Sequence, residues 1–113
     1  MKISQMGCLL ACVVVASAAV MNSAQAQASF NCRIADRPDE VLICQNPELS
    51  ALDRTMSSRY FRLRNRFEGS ELRHLESDQR DWLRSRMGCG RDFGCIRSAY
   101  LSRIEELRSY RGG

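Results

Sequence analysis

The sequence predicts an all-α protein: a small bundle of one short and three longer helices held by two disulfides. Three observations lead there. Apolar residues recur at spacings of three and four from Leu49 onward, the period of a helix that buries one face. Helix-start signals such as Asn46-Pro47-Glu48 and glycine stops such as Gly69 and Gly88 punctuate that pattern. Cys32, Cys44, Cys89 and Cys95 form an even set behind an apolar leader, the composition of a small exported domain tied by disulfides. No stretch carries a strand pattern.

The leader is read first, because it leaves before the fold forms. Lys2 precedes an uncharged apolar run from Met6 to Met21, and Ala24-Gln25-Ala26 and Ala26-Gln27-Ala28 follow. This is the order of a secretory signal peptide, with small residues at the cleavage site. Residues 1–28 are assigned to it and 29–113 to a single helical domain, with the mature start at Gln27 or Ser29. A membrane anchor is the alternative, but the run is shorter than the roughly 20 residues a span needs, and no basic stop follows. No transmembrane span is expected after cleavage. Leu9-Leu10-Ala11-Cys12 loosely resembles a lipobox, which leaves lipidation at Cys12 as a lesser alternative; the apolar run continues well past that cysteine.

The mature chain opens with a short lead-in, Ser29 to Arg37, carrying Phe30 and Cys32. Asp36 or Arg37 starts a short helix with Pro38 in its first turn, where a missing N–H costs nothing. Asn46 caps the next helix, Pro47 takes its first position and Glu48 favours its positive end. Leu49, Leu52, Met56, Tyr60, Leu63 and Phe67 form its apolar stripe, with Arg54, Arg59, Arg62, Arg64 and Arg66 on the other face. Gly69 ends it, and Ser70 is expected to cap the third helix. The third stripe runs Leu72, Leu75, Gln79, Trp82 or Leu83, and Met87. Gln79 stands where an apolar residue is expected, so it should bond a backbone group or a charged side chain of a facing helix. Gly88 and Gly90 bracket Cys89, and Asp92 caps a last helix with the stripe Phe93, Ile96, Tyr100, Ile104 and Leu107. Short connections imply antiparallel packing of successive helices.

Four cysteines allow three pairings. Cys32–Cys44 and Cys89–Cys95 are favoured, each joining a helix end to a residue within a dozen positions; a cross-tie from the first segment to the Cys89 turn is the alternative. Loops this short contribute roughly 2–3 kcal/mol each, a large share of a total near 5–15 kcal/mol.

Charge excludes several function classes. The chain has 17 basic against 13 acidic residues, and Lys2 is its only lysine. Arginines interspersed with acids read as a salt-bridged helical surface, not as the basic block of a nucleic-acid arm, so no nucleic acid is expected as a partner. His74 stands alone and Cys89-x5-Cys95 lacks a second ligand pair, so neither metal nor cofactor is expected. The serines are scattered through the helices and point to no nucleophile. Asp78 with Asp81 and Glu105 with Glu106 are carboxylate pairs without the cleft that glycosidase chemistry needs. No catalytic residue is assigned. Asp53 and Tyr60 lie seven apart on one helix face; the structural expectation is that Asp53 pairs with an arginine of the next helix, Arg80 being one candidate, and Tyr60 packs on Trp82, and the functional one that they belong to a contact surface.

Phe30-Asn31-Cys32, Glu40 to Cys44, Pro47-Glu48-Leu49, Leu52-Asp53, Tyr60, the block Gln79-Arg80-x-Trp82-Leu83, Cys89, Cys95 and Tyr100 occur in that order. In this the chain resembles the lysozyme inhibitor LprI-like N-terminal domain family, over nearly the whole mature length. The resemblance implies a four-cysteine helical domain of the periplasm or cell envelope, with Asp53, Tyr60, Gln79, Arg80, Trp82 and Tyr100 as framework residues. Arg37 departs from the small capping residue expected before the proline. The expected function is a non-enzymatic binding module, periplasmic or secreted, whose partner is lysozyme or another envelope protein. The alternative is a structural or stress-related periplasmic protein that holds envelope components through its arginine-rich surface. Both this domain and common lysozymes are basic, which opposes long-range attraction. An arginine entering the cleft would pair with its carboxylates; Arg62, Arg66, Arg84 and Arg86 are the candidates by expected exposure.

Overall fold

A computed structural model describes residues 28–111. Residues 1–27 of the leader, Cys12 among them, fall outside these residues. A single 3-10 turn, Cys32–Ile34, precedes four helices: α1 (Pro38–Gln45), α2 (Pro47–Arg66), α3 (Gly69–Met87) and α4 (Phe93–Arg108). There is no strand among the described residues. The all-α class, the one short and three longer helices and both disulfides stand as the sequence implies. Cys32 is bonded to Cys44 and Cys89 to Cys95.

Local chemistry sets the element boundaries. Asn46 accepts from the Leu49 N–H at 3.0 Å, and Asp92 from the Cys95 N–H at 3.0 Å, each satisfying a donor that a helix start leaves open. Pro38 and Pro47 occupy the first turns of α1 and α2. Arg37 stands at the α1 cap position without a side-chain cap bond. Its guanidinium turns instead to Glu40 at 2.7 Å. Ser70 is not the cap of α3. The helix begins at Gly69, whose φ of +60° makes the sharp entry, and Leu72 N–H already bonds Glu68 C=O, so Ser70 lies inside the first turn. Gly90 has φ +59° and carries the turn that brings Cys89 against Cys95.

Contacts along the helices fix the topology. Arg64 meets Glu76, and Gln79 meets Met56, so α2 and α3 run antiparallel. Trp82 meets Ala99 and Asp78 meets Tyr110, so α3 and α4 are also antiparallel. Glu48 to Arg97, Asp53 to Tyr100 and Phe67 to Tyr110 keep one register, so α2 and α4 are parallel. The three long helices thus form an up-down-up bundle, and α1 packs against α2 and α3. The packing is unequal: α2 lies close along α4, whereas α2 and α3 approach each other at few points. A groove opens between that looser pair.

Ile43, Leu49, Met56, Leu63, Leu75, Ile96, Tyr100 and Leu107 form the core. Met87 and Phe93, both expected on buried stripes, are each 38% exposed. Charged residues take the neighbouring stripe positions: Arg86 is 2% and Arg103 4% exposed.

Candidate functional site

The polar centre of the molecule lies where α1, α2, α3 and α4 meet. Arg86 reaches it from the last turn of α3. Its Nε donates to Asp39 Oδ2 at 2.9 Å and its Nη1 to the Tyr100 hydroxyl at 3.1 Å. The Tyr100 hydroxyl donates to Asp53 Oδ1 at 2.8 Å. Asp53 Oδ1 also lies 3.9 Å from Arg86, and Glu40 at 4.0 Å. The rings of Phe30, Trp82 and Tyr100 surround the guanidinium, with centroids 5.6 to 5.9 Å away. Burial alone would lower the Arg86 pKa, but the Tyr100 oxygen and the Asp39 carboxylate outweigh it and hold it above the ordinary value. Burial, then the Asp53 charge, pushes the Tyr100 hydroxyl far up, so it stays a neutral donor.

Three expectations are corrected by this centre. Arg86 is not an exposed partner-binding arginine; it is closed inside the bundle and neutralises carboxylates there. Asp53 does meet an arginine of the next helix, but this is Arg86 and not Arg80, which is exposed on α3. Trp82 packs on Tyr100, with ring centroids 5.3 Å apart, and donates to the Ala99 carbonyl at 3.0 Å. Tyr60 instead contacts Phe61 edge-on at 5.1 Å.

Gln79 meets its expectation. It is buried on α3, and its Oε1 accepts from Arg103 Nε of α4 at 3.0 Å. Arg103 also donates to Glu106 at 3.2 Å, while its Nη2 and Asp39 Oδ1 are buried without a hydrogen-bond partner. Asp39, Arg103 and the buried Ser50, whose hydroxyl donates to the Ile43 carbonyl at 2.7 Å, were not singled out from sequence.

Two surfaces remain for a partner. The first is the groove between α2 and α3, of about 510 Å³. Asp53, Met56, Gln79, Leu83 and Arg86 line its inner part, and Ser29 and Phe30 also border it. Phe61 on its rim is 49% exposed beneath the Arg64 guanidinium, and Arg64 pairs with Glu76 at 3.2 Å. Burial, then Glu76, raises the Tyr60 hydroxyl pKa. The second is the outer arginine row of α2. Arg59, Arg62 and Arg66 surround a shallow depression over Leu63 and Leu107, with Arg108 opposite. Arg108 is held by Glu105 at 2.6 Å. Arg62 and Arg66 are exposed, and neither makes an ion pair among the described residues. Arg84 is also exposed, but on α3 and paired to Asp81. The four candidate arginines therefore do not share a surface: two stand together on α2, one stands apart and one is internal.

Among the described residues no group of three or more His, Cys, Asp or Glu side chains could hold a metal ion. No helix among them is long and apolar enough to cross a membrane. No family model, curated protein or solved structure matches the chain.

Proposed function

We propose that this chain is an exported, non-enzymatic binding module of the bacterial envelope that inhibits lysozyme or a related wall-acting enzyme. The observation that carries the reading is the Arg62–Arg66 pair. These residues lie one helical turn apart on α2, which Asn46 caps at its start and which a Phe67 N–H to Leu63 C=O bond closes at its end, so their side chains leave the surface about 5–6 Å apart. Glycosidases flank the scissile bond with two carboxyls about 5–9.5 Å apart. Two unpaired guanidiniums at that spacing suit two carboxylates, each able to make a bidentate contact. The leader pattern and the two disulfides agree with an oxidising compartment outside the cytoplasm.

The test is a lysozyme activity assay titrated with the oxidised protein at several salt concentrations. Inhibition that persists through moderate salt supports the reading, because a desolvated contact is little screened and the repulsion between two basic proteins is relieved. Unchanged lysozyme activity at micromolar excess overturns it.

The second reading is a module that holds an anionic envelope polymer. The same row favours it, because Arg59, Arg62 and Arg66 gather around one depression. Its salt dependence has the opposite sign: binding falls steadily as screening shortens.

A further inference from the structure

We propose that the chain is cut between Ala28 and Ser29, and that the α-ammonium group so formed sits on Asp53 and completes the buried charge cluster. The inference rests on the exported reading above.

The sequence allows cleavage after Ala26 or after Ala28. Ala28 packs partly buried against the core in the uncut chain, a contact that cleavage after it gives up; the charge at the Ser29 nitrogen argues the other way. The Ser29 nitrogen lies 2.5 Å from Asp53 Oδ2. The segment is held there by Phe30 against Arg86 and by the Cys32–Cys44 disulfide. Within the bundle, Asp39 and Asp53 are both 1% exposed, and Arg86 is the cation between them. Two carboxylates on one guanidinium leave one negative charge in excess; Glu40, 4.0 Å from Arg86, is already matched by Arg37 at 2.7 Å. A buried carboxylate without a full partner is costly. Cleavage after Ala26 leaves the Ser29 nitrogen a neutral amide, which donates a hydrogen bond but brings no charge. Cleavage after Ala28 puts a positive charge on the atom already in contact with Asp53.

The step is hydrolysis. A leader peptidase of the export machinery adds water across the Ala28–Ser29 amide. Ala28 leaves as a carboxylate on the leader, and Ser29 keeps the amine, which takes up a proton at neutral pH. Because Ser29 is exposed, the new ammonium approaches Asp53 from the solvent side without entering the core. The groups around it are Asp53 on α2, Asp39 and the Glu40–Arg37 pair at α1, Arg86 and the exposed Arg80 on α3, and Tyr100 on α4. Direct contact with the Asp53 carboxylate raises the amine pKa above its ordinary value of about 7.7–8. Such a group stabilises the fold fully below that ordinary value, and the effect is lost as pH rises through the raised one.

The sequence supplies a clean test. Lys2 is the only lysine and lies in the leader, so the exported chain has one primary amine. The full chain is expressed with its leader, and the exported protein is weighed intact, then carbamylated with cyanate. The expected result is a mass beginning at Ser29 and a melting temperature that falls by about 5 °C on carbamylation, the size of a shift near 1 kcal/mol in a domain this small. An exported chain beginning at Gln27 overturns the inference alone. So does a Ser29 start with unchanged melting and an amine that titrates at its ordinary pKa. Uncleaved chain retained in the cytoplasm overturns both this inference and the exported reading. Loss of lysozyme inhibition in the other assay leaves it standing.

Discussion

Arg86, in the last turn of α3, donates to Asp39 in the first turn of α1 across 2.9 Å, and neither side chain reaches solvent. The pair joins residues 47 positions apart, and through Tyr100 it reaches Asp53, so one guanidinium links all four helices. Replacing Arg86 with Met keeps much of the volume but leaves Asp39 buried without a cation and takes the guanidinium away from Asp53. The expected cost is about 3–5 kcal/mol, read as a lower urea midpoint with an unchanged slope. Arg84→Ala, two residues away and exposed beside Asp81, should cost less than about 0.5 kcal/mol. If the two variants unfold alike, the buried pair does not hold the helices together.

The tyrosines set a limit at high pH. Burial is the largest cause at all three. The Asp53 charge adds to it at Tyr100 and Glu76 at Tyr60, and the Asp78 hydrogen bond takes Tyr110 up to about 12. A phenol whose folded pKa is raised binds its proton more tightly in the folded state. Its stabilisation is complete below about pH 10 and is lost as pH rises through the folded value. Melting temperature should therefore fall from about pH 10 upward, and tyrosinate absorbance should appear together with unfolding. Tyr110→Phe should flatten the part of that fall between pH 10 and 12. Tyrosinate forming near pH 10 in a chain that remains folded would refute the assignment.

The polar centre was partly legible in the sequence, and the misreadings share one cause. Gln79 was placed correctly because a polar residue on an apolar stripe must find a partner. The same logic applies to three others. Arg86 falls on the stripe of Leu75, Gln79 and Trp82, Asp53 on that of Leu49 and Met56, and Arg103 on that of Tyr100 and Leu107. Charge alone argued for exposure of Arg86, and the neighbouring Met87 took its place in the stripe. Spacing outweighs side-chain type here, because long arginines bury their stems and aromatic-flanked guanidiniums tolerate desolvation when paired. The partners themselves could not be read. Asp39 meets Arg86 only once α1 is placed against α3, and the sequence carries no local mark of that contact. The Asn46 and Asp92 caps, the proline starts and the cysteine pairing were legible because caps, prolines and short loops are local; the entry to α3 was not, because Gly69 at positive φ starts that helix before Ser70.

The two disulfides should differ in effect. Cys32–Cys44 spans 12 positions and Cys89–Cys95 six, so the chain-entropy model gives about 3 and about 2 kcal/mol. The first also holds Ser29 and Phe30 beside Asp53 and Arg86. The Cys32→Ser/Cys44→Ser variant should thus lose the ordering of this segment as well, read as faster amide exchange from Asn31 to Ile34 and at Tyr100. The Cys89→Ser/Cys95→Ser variant should accelerate exchange around Gly88 to Phe93 and leave Asn31 to Ile34 unchanged. Identical exchange patterns would mean that the first disulfide does not secure the segment.

The arginine row gives the sharpest functional prediction. Arg62→Ala/Arg66→Ala removes two exposed guanidiniums that have no ion pair among the described residues, so melting should change by no more than a degree or two. If the row enters a carboxylate-lined cleft, each lost charged contact costs about 2–5 kcal/mol, and each 1.4 kcal/mol is tenfold in affinity. The half-inhibiting concentration against lysozyme should then rise at least a hundredfold for the double variant. Arg84→Ala removes one formal charge from α3, as Arg62→Ala alone does from α2, but Asp81 already engages it, and inhibition should stay unchanged. Equal losses from these two single variants would point to net charge and not to the α2 row. Arg86 is unsuitable for this comparison, because its removal disturbs the fold before it reports on any partner.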